Sequence, residues 1–127
     1  MNEYEELLDI ISYNLKEKIY FKIIDKNKYC IYGLESLQGD TRFTKIDFRI
    51  EEKSLIIAWL YLSRSNTGCG YEVINWFQRF CVKNNLDYIE IRLVNRNNID
   101  MIRFINRFGF KIKNENEECI NFIKRII

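Results

Sequence analysis

The chain has 127 residues, of which 47% are hydrophobic and 30% charged, and its formal net charge is +2. This composition argues against a disordered chain, and so small a charge does not by itself indicate a nucleic-acid or membrane partner. The chain has no histidine, the commonest zinc ligand, and its four cysteines form no Cys-x-x-Cys pair. We therefore expect one domain over residues 1–127, with no metal site and no disulfide framework.

The first half of the chain predicts one helix followed by four strands. A helix from Glu3 to about Lys18 is indicated by apolar residues at helical spacing, namely Leu7, Leu8, Ile11 and Leu15. Strands are predicted over residues 19–25, 29–35, 43–50 and 54–62. The last strand is apolar on both faces, which is typical of a central strand.

The second half predicts two helices and three strands. A helix over about 71–84 has a continuous apolar face, formed by Val73, Ile74, Phe77, Phe80 and Cys81. A strand over 88–94 places Ile89, Ile91 and Leu93 on one face. A short helix over 99–108 ends at Gly109 as a left-handed residue. Strands over 110–113 and 119–126 complete an α/β (α+β) order, which predicts a mixed, mostly antiparallel sheet of about six to seven strands with helices on both faces.

Two glycines, Gly68 and Gly70, lie between the apolar strand and the long helix. A helix N-terminus has unpaired backbone N–H groups and a partial positive charge, and glycine lets an anion approach them closely. Turn geometry alone also explains such a pair, so both interpretations stay open.

Basic residues gather later in the chain, at Arg92, Arg96, Arg103, Arg107, Lys111 and Lys113. A solvated helix face explains them best, and the alternatives are a positive rim for a polyphosphate or an RNA surface.

The glycine turn, Asn98 at the start of the short helix, and Gly109-Phe110 after it resemble the GNAT superfamily of N-acetyltransferases in order and spacing. The family loop pattern is Q/R-x-x-G-x-G/A, and residues 65–70 match both glycines, with Ser65 in the first place. The resemblance implies that the acetyl-CoA pyrophosphate binds backbone N–H groups of this loop and that the pantetheine arm pairs with strand 54–62. The implied coenzyme-binding residues are Leu60, Tyr61, Leu62, Ser65, Asn66, Thr67, Gly68, Cys69, Gly70, Tyr71 and Asn98.

Two departures concern catalysis. Ile105 stands where the family has a tyrosine that protonates the leaving thiolate, and strand 54–62 has no carboxylate to act as a base. Carboxylates elsewhere are expected to decorate solvated strand edges or turns: Glu35, Asp47, Glu51, Glu52 and Glu90. Tyr61 and Tyr71 are further candidates, although packing is the simpler role for each. Cys69 is expected to be packed and inert rather than nucleophilic. The catalytic residues therefore stay unassigned.

The resemblance implies an N-acetyltransferase in which a primary amine attacks acetyl-CoA directly. The alternative is a degenerate domain that binds CoA or a protein partner without turnover.

The acceptor is expected to be an amine-bearing small molecule or peptide, and exposed strand edges allow a homodimer. We expect no metal, membrane or nucleic-acid partner. The acidic N-terminus is unlike a targeting peptide, which predicts a cytoplasmic protein.

Overall fold

A computed structural model describes residues 3–33, 44–63 and 67–127. The elements in chain order are α1 (Glu5–Leu15), β1 (Ile19–Asp25), β2 (Lys28–Gly33), β3 (Lys45–Glu51), β4 (Ser54–Tyr61), α2 (Cys69–Lys83), β5 (Tyr88–Asn95), α3 (Ile99–Arg107), β6 (Lys111–Glu115) and β7 (Cys119–Arg125). The strands form one sheet in the order β1-β2-β3-β4-β5-β7-β6. Neighbouring strands are antiparallel except for the β4–β5 pair, which is parallel. The predicted mixed, mostly antiparallel sheet is therefore confirmed.

One face of the sheet is covered by α1 and α2. The ring of Tyr4, immediately before α1, packs against rings from β1, β2, β3 and α2, which are Phe21, Tyr29, Phe48, Trp76 and Phe80. Leu7, Ile11 and Leu15 of α1 are fully buried and Leu8 is partly buried, while the predicted apolar face of α2 is buried, in agreement with the helical periodicity. Since side chains alternate along a strand, the neighbours of these aromatic residues point to the opposite face.

The third helix, α3, lies beside the N-terminus of α2. The ring of Phe104 approaches Gly70, and the Tyr71 and Phe108 rings have centroids 5.3 Å apart. Both crossovers, β4-α2-β5 and β5-α3-β6, advance across the sheet in the same direction.

A β-bulge at Ala58 changes which residues of β4 face the helices. Phe48 of β3 pairs with Ile57, whereas the preceding Asp47 pairs with Trp59, so that β4 has one extra residue. The bulge reverses the alternation. Ile57 and Leu60 both pack into the core on the helix side, and Trp59 points to the other face.

A second bulge, in β5, makes one sequence prediction wrong. Ile91 pairs with Phe122 and Val94 pairs with Ile120, so β5 also has one extra residue. Leu93 has a φ of 60° and its side chain is 66% exposed, whereas Val94 is buried in its place. The predicted apolar face of Ile89, Ile91 and Leu93 therefore ends at Ile91, because strict alternation does not continue through a bulge.

The boundaries of the helices differ from the predicted ones by a few residues. The first helix ends at Leu15, because Lys16 has left-handed backbone angles. The second begins at Cys69, since the left-handed Gly68 is its N-cap, so that Gly70 lies inside the helix. Gly109 has a φ of +80°, which confirms the predicted left-handed residue after α3. The predicted end of the second strand, Glu35, lies outside the described residues.

Phe77 provides a test of the core, because it is fully buried and its ring packs edge-to-face on Phe48. We expect Phe77→Ala to lower the free energy of unfolding by about 3–5 kcal/mol, through lost burial and a residual cavity. Urea denaturation followed by circular dichroism measures the change. Val82→Ala, at an exposed position of the same helix, is the control and should change the free energy by less than about 0.5 kcal/mol.

Candidate functional site

A cavity of about 860 Å³ lies between the end of β4, the start of α2 and the helix α3. Its described lining consists of Leu60, Tyr61, Leu62, Thr67, Gly68, Cys69, Gly70, Tyr71, Asn75, Asn98, Asp100, Met101, Phe104, Arg107, Phe108 and Lys124. Its volume is within the range of small-molecule sites, roughly 300–1,000 Å³. The cavity combines one helix start, one strand edge and an aromatic wall.

The helix start supplies backbone donors. The Cys69 N–H donates to the Thr67 hydroxyl oxygen at 3.2 Å, and the Glu72 N–H donates to the Gly68 carbonyl oxygen at 3.2 Å. The N–H groups of Gly70 and Tyr71 belong to the first turn, where a helix offers no carbonyl partner of its own. Together with the helix dipole, they favour an anionic group at this end of the cavity.

Gly70 lies where α3 approaches α2 closely. A Cβ atom at Gly70 would lie 3.2 Å from Cζ of Phe104 and 3.8 Å from Cδ1 of Leu62. Any larger side chain would therefore push the Phe104 ring, which lines the cavity. The second glycine of the loop thus keeps the space between the two helices open.

The strand edge arises where β4 separates from β5. The two strands pair from Ser54 and Tyr88 as far as Ile57 and Ile91, and no further pair is found between them in the described chain. The later residues of β4 pair with β3 on their other side. The backbone of Leu60 and Tyr61 consequently has an edge toward the gap, where an extended ligand can hydrogen-bond as an added strand.

Asn98 has a structural role that its side-chain geometry makes clear. Its Oδ1 accepts a hydrogen bond from the Met101 N–H at 3.2 Å, so that it is the N-cap of α3. The same residue lines the cavity. The cap fixes where α3 begins and hence where the α3 wall of the cavity stands.

The structure brings together nine of the eleven residues that the sequence assigns to the coenzyme. The other two, Ser65 and Asn66, lie outside the described residues. That these residues bind a coenzyme stays a prediction. The α3 residues of the lining and Lys124 were not predicted as site residues. Helical spacing by itself does not distinguish a residue that packs in the core from one that lines a cavity, and no local sequence pattern connects β7 to the gap between α2 and α3.

Burial keeps the thiol of Cys69, which lies between Gly68 and Gly70, protonated. Cys69 is fully buried, and desolvation, with a smaller contribution from the charges of Glu72 and Glu17, raises its pKa to about 11. The thiol is therefore protonated at neutral pH, and the prediction of a packed Cys69 is confirmed. A thiolate nucleophile is not available here without a strong local base.

The carboxylates considered as bases differ from one another in their surroundings. Glu90 is only 4% exposed, and its two oxygens pair at 3.1 Å with Arg92 and with Lys113. The expectation of a solvated Glu90 is therefore wrong, since the Arg92 and Lys113 side chains occupy both of its oxygens. Glu51 is exposed and pairs with Arg49 at 3.1 Å. Glu35 lies outside the described residues.

Ile105, which stands at the place of the family's proton-donating tyrosine, is apolar and fully buried. Ile105 packs in the core cluster with no exposed surface. Its neighbour Phe104 lines the cavity instead. Tyr61 and Tyr71 contribute the tyrosines of the described lining, and Tyr71 is well exposed.

Among residues 3–33, 44–63 and 67–127, no group of three potential metal-ligating side chains converges. None of the helices in these ranges combines the length and the apolar character that a membrane crossing needs.

Removing the α3 cap should destabilise the protein. We expect Asn98→Ala to lower the free energy of unfolding by about 1 kcal/mol, because the Met101 N–H loses its acceptor. Asn98→Asp should restore most of this stability, since its carboxylate can accept the same hydrogen bond. Thermal or urea unfolding without ligand measures both variants, and equal stability of Asn98→Ala and the original protein would contradict the capping role.

The raised pKa of Cys69 predicts a slow reaction with alkylating reagents. Because burial raises the folded-state pKa of Cys69 to about 11, the stability that the neutral thiol contributes is complete below the unfolded-state value of 9.0 and is lost progressively as the pH rises from there to about 11. In the folded protein at about pH 8, iodoacetamide should modify the partly exposed Cys119 well before Cys69. Peptide mass spectrometry measures both rates, and labelling in urea is the control. Comparable rates in the folded state would contradict this result.

No protein-family model and no curated protein matches the chain. Among solved structures, it is similar to the PaiA N-acetyltransferase of Thermoplasma acidophilum in complex with coenzyme A. The TM-score is 0.62 at 16% identity, over 78% of this chain and 61% of that chain. The chain thus spans about three fifths of the length of that relative.

Two further N-acetyltransferases match at similar levels. The Campylobacter jejuni enzyme PseH, in complex with acetyl coenzyme A, has a TM-score of 0.60 at 18% identity, over 80% of this chain and 70% of that one. The ribosomal-protein-S18-alanine N-acetyltransferase of Escherichia coli has a TM-score of 0.63 at 10% identity, over 80% and 71%. At such identities the similarity concerns architecture. The chain has the fold of the GNAT N-acetyltransferases.

Proposed function

We propose that this protein is an acetyltransferase that moves the acetyl group of acetyl-CoA to a primary amine. The observation that supports this most directly is the meeting of two features in one cavity. The α2 N-terminus, with its glycines, and the unpaired edge of β4 both open into the space of about 860 Å³. A ligand with an anionic end and an extended amide-containing arm fits that combination.

The proposal assigns the pyrophosphate and the pantetheine arm of the coenzyme to different parts of the chain. The residues from Ser65 to Tyr71 bind the pyrophosphate, mainly through backbone N–H groups. The backbone of Leu60–Leu62 pairs with the pantetheine arm. Arg107 and Lys124 add positive charge to the lining, and the Phe104 and Phe108 rings provide an apolar wall. The fit depends on Gly70, because a side chain there would displace Phe104.

The proposed reaction forms an amide bond and releases a thiol. The amine nitrogen attacks the thioester carbonyl carbon, the C–S bond breaks, the amine loses a proton, and the thiolate gains one. The chain contributes orientation, which alone can supply a large part of the rate, and backbone N–H donors near the reacting oxygen. A positioned acid and base typically add about 10²–10⁴-fold. Since Ile105 cannot donate a proton, we expect slow turnover unless Tyr61 or Tyr71 acts in its place.

A second candidate function is coenzyme binding without turnover. The full burial of the apolar Ile105 favours it, because this is the place of the family's proton donor. It makes the same use of the cavity but assigns no reaction to it.

Titration with acetyl-CoA and an assay of thiol release distinguish these functions. We expect saturable binding, and release of free CoA thiol that depends on an added amine from a panel of small molecules and peptides. Binding without amine-dependent release would favour the second function. Failure to bind either CoA or acetyl-CoA would contradict both.

A pair of glycine variants tests the binding loop. Gly68 and Gly109 both have a φ of +80°, and an added Cβ would meet nothing within 4 Å at either position. Substitution by tryptophan therefore strains both backbones similarly, but only Gly68 lines the cavity. We expect Gly68→Trp to weaken CoA binding by at least about 100-fold, or ~2.7 kcal/mol, and Gly109→Trp by less than about threefold. Isothermal titration measures both, and equal affinities would remove the loop assignment.

A further inference from the structure

Another cavity, of about 610 Å³, lies on the sheet face that points away from α1 and α2. We call it the Asp47 cavity. Its described lining is Lys22, Ile24, Cys30, Tyr32, Gly33, Thr44, Lys45, Asp47 and Trp59. Four of these residues form one row of register neighbours across β1–β4, in the order Lys22, Cys30, Asp47 and Trp59. The row places unlike charges and an aromatic ring side by side.

The cavity between β4, α2 and α3, which we call the coenzyme cavity, lies on the other side of β4 from the Asp47 cavity. Leu60 packs on the helix side and lines the coenzyme cavity, whereas its neighbour Trp59 lines the Asp47 cavity. The bulge at Ala58 produces this division, because it directs Trp59 away from the helices. Both cavities therefore reach β4 just beyond the point where it separates from β5.

Asp47 has a carboxylate oxygen that needs a donor. Its Oδ1 is buried and has no hydrogen-bond partner among the described residues, and its Oδ2 lies 3.5 Å from Nζ of Lys45. The nearby Cys30 thiol is only a weak donor, and burial together with Asp47 raises its pKa to about 11. A buried carboxylate oxygen without a strong donor is unfavourable. A ligand ammonium or amine N–H would satisfy it.

The aromatic and basic residues indicate what else the ligand contains. Trp59 is 57% exposed although it is large and apolar, and its ring face can contact a cation or an apolar group. The Tyr20 and Tyr32 rings stack beside the row at 5.6 Å. Lys22 has no ion-pair partner within the described ranges, so that its ammonium group is available to an acidic group on the ligand.

We propose that the Asp47 cavity binds a small primary amine that also bears an acidic group and an apolar side, of about the size of an amino acid. The ammonium group contacts Oδ1 of Asp47 and the Trp59 ring, and the acidic group contacts Lys22. That this ligand is the acetyl acceptor rests on the proposed function. The binding itself does not, and it can be measured without any coenzyme.

Three probes of the same size separate the contributions of the two charges. Phenylalanine has both groups, phenethylamine lacks the acid, and 3-phenylpropionate lacks the amine. Fluorescence of the exposed Trp59 reports binding, and Trp59→Phe identifies the signal of the buried Trp76. We expect phenylalanine to bind at least about fivefold more tightly than either other probe. Equal affinity for the three probes, or no saturable binding, would overturn the proposal.

Two charge variants assign the contacts. Asp47→Asn should abolish the preference for phenylalanine over 3-phenylpropionate, and Lys22→Gln the preference over phenethylamine. Asp9→Asn and Lys26→Gln, at exposed positions outside the cavity, should leave both preferences unchanged. Unchanged preferences in both cavity variants would overturn the assignment. If Asp47→Asn does not fold, Lys22→Gln and the three-probe comparison still decide.

A parallel titration with CoA separates this proposal from the coenzyme proposal. If CoA binds and phenylalanine does not, the Asp47 cavity proposal alone is wrong. If phenylalanine binds with the expected preferences but CoA does not, the Asp47 cavity stands and the acetyl-transfer proposal is wrong. If both bind and no acetylated probe appears in the mass spectrum, the ligand is not the acceptor.

Discussion

The separation of β4 from β5 is the constraint on which the rest of this structure depends. The two parallel strands pair over four positions, and each then contains a bulge at the level where pairing stops. The bulge in β4 lies at Ala58, and the one in β5 precedes Val94. The sheet stays continuous through β3 and β7, so the gap costs few hydrogen bonds and yet exposes a strand edge inside the molecule.

Two helices, α2 and α3, form the walls of the coenzyme cavity on either side of this gap. Since α2 follows β4 after a short loop, its N-terminus and its unpaired N–H groups lie at the mouth of the gap. The helix α3 closes the other side, and its distance from α2 is set by the contact of Gly70 with Phe104. The cap by Asn98 fixes the start of α3. A favourable site for an anionic, extended ligand thus arises mainly from backbone groups.

The sheet face that points away from α1 and α2 carries two partly or fully buried carboxylates, Glu90 and Asp47. Glu90 is buried between Arg92 and Lys113, and both of its oxygens are paired. Breaking a buried ion pair is costly, so Glu90 is better explained as part of the sheet than as a base. Asp47 differs from Glu90, because one of its oxygens is buried without a partner in the described chain. This difference points to Asp47 rather than Glu90 as the carboxylate that a ligand would contact.

The sequence by itself determined the order of elements, the central apolar strand, the glycine turn before α2 and the left-handed Gly109. These features depend on local backbone preferences and on short-range periodicity, which a single chain segment expresses without its neighbours. Nine of the residues that the resemblance to the GNAT pattern implies line one cavity, and their role in binding a coenzyme stays a prediction.

Only the tertiary structure decided the rest. The bulges depend on pairing with β3 and β7, so Leu93 was wrongly predicted to share the face of Ile89 and Ile91, and the change of alternation at Ala58 was not predicted. The burial of Glu90 depends on Lys113, which is 23 residues away in the chain. Lys124 lines the gap between α2 and α3, and Asp47 lies beside Trp59, because the order of the strands in the sheet brings these residues together. Such contacts join distant segments, and no local pattern in the sequence encodes the distances between them.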